Sequence, residues 1–237
     1  MKQYKAIFLD WDDTIGDFAG AAYRSLQYMY GEHGLDDCYD SFNQFFDIYE
    51  THNLDLWRRY GLDEVTKQYL EFDRMFYPLM MAPRPFDSQK AIPLAVRMGK
   101  EHLENTTRFF SLLPDAEYVV RTLATKYPLV IVSNGFIEVQ YRKIDSSGLR
   151  DCFSHIVLSE EVGAQKPNPK IYEQALRLCG CRPEEVLMIG DSWTSDIQGA
   201  INAGIDQLWL MSSHVADPNL PSTYKVAHLT DVLPMLM

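Results

Sequence analysis

The sequence has no surplus of positive charge and no cluster of basic residues. Its 22 Lys and Arg residues stand against 33 Asp and Glu residues, which gives a formal net charge of −11 at pH 7. Proteins that bind nucleic acid or anionic membrane surfaces use clustered cations that replace counterions. We therefore expect no nucleic acid polymer and no membrane among the partners of this chain.

Long apolar runs are also missing, and cysteines are few. No apolar stretch approaches the ~20 residues of a membrane span, and the N-terminal residues contain no signal-peptide core followed by a small-residue cleavage site. Four cysteines in 237 residues are too few for a disulfide framework, so we expect reduced thiols. These features predict a cytoplasmic protein that is a monomer or a weak homodimer.

Two common phosphate-binding signatures do not occur. The sequence contains neither the Gly-x-Gly-x-x-Gly pattern of dinucleotide-binding folds nor the Gly-x-x-x-x-Gly-Lys phosphate loop. Each of these functions depends on its glycine-rich turn. The chain is therefore not expected to bind a dinucleotide or to act as a P-loop enzyme.

What the sequence does contain is a series of short apolar runs of strand length. They are rich in Val, Ile, Leu or Phe, end at polar residues, and span 6–9, 129–132, 156–158, 186–189 and 208–210. Segments with helical spacing, such as 114–127, lie between the later runs. Strands that alternate with helices predict an α/β fold, in which helices cover both faces of a parallel sheet.

More than a hundred residues separate the first two predicted strands, which is too many for a structureless loop. This stretch has helical spacing interrupted by Gly, Asn or Pro, in the segments 19–30, 41–49, 54–60, 63–77 and 88–104. We expect an all-helical domain over residues 17–113, inserted into a core domain formed by 1–16 and 114–237. The many aromatic residues of the insert are expected to pack inside it.

Polar residues follow the predicted strands at the edge where parallel sheets bind ligands. In chain order they are Asp10, Asp12, Thr14, Ser133, Asn134, Lys166, Asp191 and Asp196. Taken singly, each has an ordinary explanation as a turn former, a helix cap or a solvated side chain. Together they crowd several carboxylates at one edge, which is costly unless a cation joins them.

This combination suits phosphoryl transfer through a covalent intermediate. A carboxylate at a strand end can attack phosphorus, which divides one difficult hydrolysis into two displacements. Mg²⁺ binds a few carboxylates together with phosphate oxygens and water, and Lys166 would bring a second positive charge to the phosphoryl oxygens. A carboxyl group two residues beyond the nucleophile can protonate the leaving oxygen and later deprotonate water.

In order and spacing, these residues resemble the four motifs of the haloacid dehalogenase-like (HAD) hydrolase superfamily. The matching segments are Asp10-x-Asp12-x-Thr14, Ser133-Asn134, Lys166-Pro167, and Gly190-Asp191-Ser192 with Asp196. The resemblance covers the whole chain and implies a Rossmann-like core with a helical cap of the C1 type. It also implies that Asp10 is the nucleophile, that Asp12 is the general acid/base, and that Mg²⁺ is the cofactor.

The resemblance implies roles for the remaining residues as well. Mg²⁺ would be held by Asp10, Asp191 and the backbone carbonyl of Asp12. Lys166 would neutralise the nucleophile, and it would bind phosphate together with Ser133, Asn134 and Thr14, the last of which would also steady the first loop. Asp196 would help to orient the metal and its ligands without being a ligand itself.

Asp13 departs from the commoner first motif of the superfamily, which has Gly at this position. Gly serves where φ is positive, a conformation that Asp tolerates at modest cost. Asp here resembles the pyrimidine 5′-nucleotidase branch, which implies a phosphomonoester hydrolase acting on a small phosphorylated metabolite, a pyrimidine nucleoside 5′-monophosphate. A sugar-phosphate phosphatase, a phosphomutase and, in a different class, a non-catalytic phospholigand-binding protein are the alternatives.

Overall fold

The computed structural model describes residues 2–84, 86–211 and 219–237. The chain divides into two compact units, one formed by residues 1–18 and 111–237 and the other by residues 19–110. We call them the core unit and the helical unit. The sequence prediction puts the corresponding limits after residue 16 and before residue 114.

The core unit is built on a parallel β-sheet. The described residues form six strands: β1 Ala6–Leu9, β2 Leu129–Ser133, β3 Phe153–Leu158, β4 Val186–Gly190, β5 Asp206–Leu210 and β6 Tyr224–Val226. Their order is β3-β2-β1-β4-β5-β6, and every neighbouring pair is parallel. All residues of β1, β2 and β4 are buried, as expected for strands covered on both faces. The predicted α/β class is confirmed.

Four long helices form the helical unit: α1 Phe18–Glu32, α2 Phe42–Gly61, α3 Lys67–Met81 and α4 Ser88–Arg108. The hydroxyl groups of Ser41 and Thr66 accept hydrogen bonds from first-turn N–H groups and so cap α2 and α3. The predicted break near Asn53 is wrong, because α2 runs through it. Asn costs less than about 1 kcal/mol in a helix, which is small beside the burial of apolar residues on either side.

The aromatic residues of the helical unit pack against one another, as predicted. Tyr39 and Phe45 are almost fully buried, with ring centroids 5.5 Å apart in an edge-to-face arrangement. Tyr23 meets Phe42 in the same way at 5.1 Å. Among the described residues, no helix combines the length and the apolar character that crossing a membrane requires.

The remaining helices belong to the core unit. They are α5 Ala116–Ala124, α6 Ile137–Ser146, α7 Ser159–Val162, α8 Pro169–Cys179, α9 Gln198–Asn202 and α10 Leu233–Leu236, and a π-helical turn, Trp193–Ile197, precedes α9. Helix α8 shows how local sequence sets its ends: Asn168 caps its start, and Gly180 ends it with a φ of 64°. Its apolar face packs in one cluster with alternate residues of β1 and β2.

The chain leaves the core unit and returns to it through two segments that lie side by side. Asp17 N–H donates to the carbonyl of Ser111 at 2.9 Å, and Leu113 N–H donates to the carbonyl of Ile15 at 2.9 Å. The chain segments on either side of the insertion are therefore hydrogen-bonded to each other within the core unit.

Candidate active site

The loop after β1 forms a tight turn around the Trp11 carbonyl. The N–H groups of Ile15 and Gly16 both donate to this carbonyl, at 3.0 and 2.8 Å. Asp13 has a φ of 60°, which is the left-handed conformation predicted for an Asp in the usual place of Gly. In this turn Asp10 directly follows β1, and the side chain of Asp12 contacts other residues than that of Asp10 does.

Asp10, Lys166 and Asp196 form a buried chain of charges. Nζ of Lys166 lies 2.5 Å from Oδ1 of Asp10 and 2.6 Å from Oδ1 of Asp196. The three residues are 6%, 4% and 0% exposed, so water screens these charges very little. One ammonium group is thus shared between the predicted nucleophile and a carboxylate of the fourth motif.

Asn134 holds the backbone of Lys166 in place. Its side-chain Nδ2 donates to the Lys166 carbonyl at 3.0 Å, and its Oδ1 accepts from the Lys166 N–H at 2.8 Å. Both polar groups of this amide therefore bind the backbone of one residue. The side chain thus acts on the position of the lysine, and the backbone N–H of Asn134 is the group expected to meet a phosphate.

Thr14 connects the first loop to the fourth. Its hydroxyl accepts from the Asp191 N–H at 3.1 Å and donates to Oδ1 of Asp191 at 3.2 Å. A hydroxyl has one proton to donate, and here Asp191 receives it. The side chain thus joins the two loops, and its proton is directed at Asp191 rather than towards a phosphate.

Ser133 has the opposite arrangement. Its Oγ accepts from the Gly135 N–H at 3.1 Å and from Nε2 of Gln140 at 2.6 Å. Because both of these bonds use the oxygen as acceptor, the hydroxyl proton remains available to a phosphoryl oxygen. Ser133 therefore suits the phosphate-binding role predicted from its position after β2.

The Asp12 side chain contacts helix α6, and the sequence analysis missed this contact. Oδ1 of Asp12 forms an ion pair with Nζ of Lys143, and Oδ2 accepts from Nε2 of Gln140 at 3.1 Å. Gln140 and Lys143 lie one helical turn apart, so they occupy the same face of α6. A lysine on the apolar face of a helix that follows the second motif was the signal that could have revealed them.

The pKa values reflect the crowding of like charges. Burial raises the pKa of Asp10 well above its ordinary value; Lys166 acts against this rise, and the nearby carboxylates add to it. Burial and the charge of Asp196 raise the pKa of Asp191 to about 7. Burial alone would lower the pKa of Lys166, but Asp10 and Asp196 outweigh it and raise that pKa above its ordinary value. Lys166 therefore stays an ammonium. One ammonium does not neutralise the carboxylates of Asp10, Asp191 and Asp196.

The same carboxylates fit a divalent cation. Oxygen atoms of Asp10, Asp191 and Asp196 all lie within 4.8 Å of one another. Asp196 is committed elsewhere, because Lys166 binds its Oδ1 and the Ser192 N–H binds its Oδ2 at 3.0 Å. Of their carboxylate oxygens, Asp10 and Asp191 each use only Oδ1 in hydrogen bonds among the described residues. Their second oxygens suit a hard cation such as Mg²⁺, which prefers carboxylate ligands.

Comparisons with known proteins identify the family. A family model described as haloacid dehalogenase-like hydrolase matches residues 4–204. The pyrimidine 5′-nucleotidase YjjG of Escherichia coli (strain K12) is 31% identical over 236 residues, which cover 97% of this chain and 96% of the relative. The glyceraldehyde 3-phosphate phosphatase of Methanothermobacter thermautotrophicus is 31% identical over 219 residues, which cover 88% of this chain and 86% of the relative.

A solved structure gives the same answer at the level of the fold. The HAD-hydrolase YfnB from Bacillus subtilis, solved with bound magnesium, matches with a TM-score of 0.83 and 27% identity, and the match covers 99% of each chain. The family match spans Asp10, Lys166 and Asp191, and it includes all of β1 to β4. The chain therefore belongs to the haloacid dehalogenase-like hydrolases and, among them, resembles the phosphatases of the pyrimidine 5′-nucleotidase branch.

Proposed function

We propose that this protein is a Mg²⁺-dependent phosphomonoester hydrolase that works through an aspartyl phosphate on Asp10, with a pyrimidine nucleoside 5′-monophosphate as substrate. The observation that carries the proposal is the 2.5 Å ion pair between Asp10 and Lys166 in a buried cluster with Asp191 and Asp196. A carboxylate nucleophile that meets a phosphate dianion needs positive charge close by, which Lys166 supplies in part and a cation bound by the carboxylates would complete. Relatives named as a pyrimidine 5′-nucleotidase and a glyceraldehyde 3-phosphate phosphatase support the reaction class.

In the first step, a carboxylate oxygen of Asp10 bonds to phosphorus while the bond from phosphorus to the leaving oxygen breaks. Asp12 transfers a proton to that leaving oxygen, so the product departs as a neutral alcohol. Lys166 uses two of its three N–H bonds on Asp10 and Asp196, which leaves the third for a phosphoryl oxygen. The Ser133 hydroxyl and the Asn134 N–H would bind the other phosphoryl oxygens.

In the second step, water releases the phosphoryl group. Asp12, now a carboxylate, takes a proton from water as the water oxygen bonds to phosphorus and the bond to Asp10 breaks. Inorganic phosphate leaves, and Asp10 returns to its carboxylate form. The proton that Asp12 gave to the alcohol is thereby recovered from water.

Asp10, Asp191 and the backbone carbonyl of Asp12 would hold the metal. When bound, Mg²⁺ supplies positive charge that opposes the raised pKa values of the carboxylates and polarises the phosphoryl group. The magnesium named with the YfnB structure supports this choice of ion. We also propose that the helical unit is the C1-type cap domain of the family.

The proposed reaction is tested with p-nitrophenyl phosphate and the purified protein. We expect Mg²⁺-dependent release of phosphate, and we expect Asp10→Asn to abolish it because the nucleophile is lost. Acid-quenched wild-type protein should carry a phosphoryl group that Asp10→Asn lacks. Asp145→Asn is the matched control, because Asp145 is exposed on α6 and takes no part in the site. A pure, folded wild-type protein that hydrolyses no phosphomonoester would instead indicate a non-catalytic phospholigand-binding protein.

The substrate class is tested on the same preparation. Asp13 in the first motif and the similarity to YjjG favour nucleotides, so we expect UMP, dUMP or TMP to be hydrolysed faster than hexose or triose phosphates. The similarity to a glyceraldehyde 3-phosphate phosphatase favours the second candidate, a sugar-phosphate phosphatase. Equal or higher kcat/KM values on sugar phosphates would select that candidate, and conversion of a sugar phosphate to its isomer without phosphate release would indicate a mutase.

A further inference from the structure

We infer that Lys143 and Gln140 are positioning residues for the general acid/base, and that they hold the Asp12 carboxylate in the orientation that proton transfer requires. The inference rests on the proposed function, because it concerns how Asp12 performs its role. Neither residue belongs to the four motifs that resemble those of the HAD superfamily. Both come from helix α6, which follows the second motif.

The contacts hold both oxygens of the carboxylate. Lys143 Nζ pairs with Oδ1 of Asp12, and Gln140 Nε2 donates to Oδ2 at 3.1 Å. Because each oxygen has its own donor, the carboxylate can neither rotate about its terminal bond nor move away from α6 without losing a contact. Each oxygen has two lone pairs, so one on each remains for the proton that Asp12 moves.

Lys143 is an unusual residue for its location. It is 1% exposed, although lysine is rarely buried so completely. Its ammonium lies 4.8 Å from the centre of the Phe18 ring and pairs with Asp12. A buried ion pair gives little net stability compared with well-packed apolar residues. Stability alone therefore does not account for a charge at this position, whereas placing Asp12 does.

Gln140 joins the acid/base to the phosphate-binding hydroxyl. The same Nε2 group that binds Asp12 also donates to Oγ of Ser133 at 2.6 Å. The neighbouring Gly135 makes room for this amide, because a Cβ there would lie 2.3 Å from Cδ of Gln140. One side chain thus sets the distance between the group that protonates the leaving oxygen and a group that binds the phosphate.

This role predicts a dependence on the leaving group. An alkyl alcohol is a poor leaving group and needs a proton from Asp12, whereas p-nitrophenolate leaves without one. The parameter kcat/KM reports the steps up to loss of the first product, so it isolates the acid role of Asp12 from its later role as base. A misplaced Asp12 should therefore lower kcat/KM on alkyl phosphates selectively.

The experiment compares UMP with p-nitrophenyl phosphate for Lys143→Met, a neutral side chain of similar length. We expect kcat/KM to fall about 100-fold on UMP and less than about fivefold on p-nitrophenyl phosphate, given the usual size of general acid catalysis. The matched control is Arg142→Met, which removes an exposed cation from the same helix and should leave both values within about twofold of wild type. In an Asp12→Asn background, Lys143→Met should cause no further loss.

A second variant covers the possibility that Lys143→Met does not fold. Gln140→Leu keeps the size of the side chain and removes its two donated bonds, while Oε1 of Gln140 has no hydrogen-bond partner to lose. It should lose more activity on UMP than on p-nitrophenyl phosphate, in addition to a loss shared by both substrates because Ser133 also loses a donor. Wild-type protein inactive on both substrates would overturn the proposed function and this inference with it. Active wild type, with variants that lose both substrates equally or neither, would overturn this inference alone.

Discussion

Gly190, the last residue of β4, leaves the space that the Asp196 carboxylate occupies. A Cβ at position 190 would lie 2.4 Å from Oδ2 and 2.5 Å from Cγ of Asp196. That carboxylate holds Lys166, and Lys166 in turn holds Asp10. The lack of a side chain at position 190 therefore allows Asp196, Lys166 and Asp10 to form their ion pairs.

Gly190→Ala should displace Asp196 and with it the ammonium of Lys166. We expect kcat to fall about 100-fold, because misplacement of about 1 Å is sufficient for such a loss, and the free energy of unfolding to fall by about 1–3 kcal/mol through overpacking. Phosphate release and urea unfolding measure the two effects. Gly31→Ala is the control, since a Cβ there meets nothing within 4 Å and should stabilise α1 slightly. A Gly190→Ala enzyme as active as wild type would contradict this account of Asp196.

Residue types at the strand ends could be predicted, but the directions of their side chains could not. The left-handed φ of Asp13 followed from its chemistry, because few residues tolerate that conformation. Thr14 donates its proton to Asp191, and Asp12 accepts a hydrogen bond from α6. Both contacts depend on residues that are distant in sequence and are brought together by the fold. Motif spacing along the chain contains no information on such contacts.

Within the helical unit, His102 of α4 links three helices through polar contacts. Its Nδ1 lies 2.9 Å from Oγ of Ser25 on α1, and its Nε2 lies 3.3 Å from the hydroxyl of Tyr49 on α2. Burial lowers the pKa of His102 well below its ordinary value, and the charge of Arg74 lowers it further. The imidazole is therefore neutral in the folded protein at neutral pH.

This histidine should make the helical unit sensitive to acid. In the unfolded chain His102 takes up a proton near its ordinary pKa of 6.5, whereas the folded protein excludes that proton. Its contribution to stability is thus complete above pH 6.5 and is lost as pH falls below it, by up to about 1.4 kcal/mol per pH unit.

Urea unfolding at pH 7.5 and pH 5.5 measures this effect. The loss of stability between the two values should be smaller in His102→Gln than in wild type, because glutamine does not titrate. His228→Gln changes an exposed histidine and should keep the wild-type dependence. Equal acid sensitivity in the wild type and in both variants would show that His102 is not the source.

Fully buried apolar strands could be predicted from sequence, whereas very short strands or strand ends with polar residues could not. The run 6–9 coincides with β1 because four apolar residues there are all buried. Strand β3 begins at Phe153, three residues before the predicted run. The prediction missed its first half because Ser154 and His155 interrupt the apolar pattern. Strand β6 was missed, since Tyr224–Val226 is too short to show a period.

At the scale of the whole molecule, the net charge of −11 opposes the approach of an anionic substrate. Nucleoside monophosphates carry nearly two negative charges at neutral pH. Under the proposed function, the attraction at the site would come from Lys166 and a bound cation, which act over short distances. The general field of the protein and the local field of the loaded site would then have opposite signs.

Salt should accordingly speed the reaction at saturating Mg²⁺. Between 10 and 150 mM NaCl the screening length falls from about 30 to about 8 Å, which weakens the long-range repulsion more than the contacts in the site. We expect kcat/KM on UMP to rise about two- to threefold. Sucrose at equal osmolality is the control for effects unrelated to charge. A fall in kcat/KM with NaCl would mean that attraction dominates even at long range.

The central position of β1 in the sheet has a consequence for synthesis of the chain. Residues 6–9 are synthesised well before their neighbours in the sheet, which are β2, at 129–133, and β4, at 186–190. The whole helical unit, 19–110, is synthesised before either neighbour exists. Strand β1 therefore has no sheet partner while the separate helical unit is synthesised, and it gains its second partner only after β4 has been made.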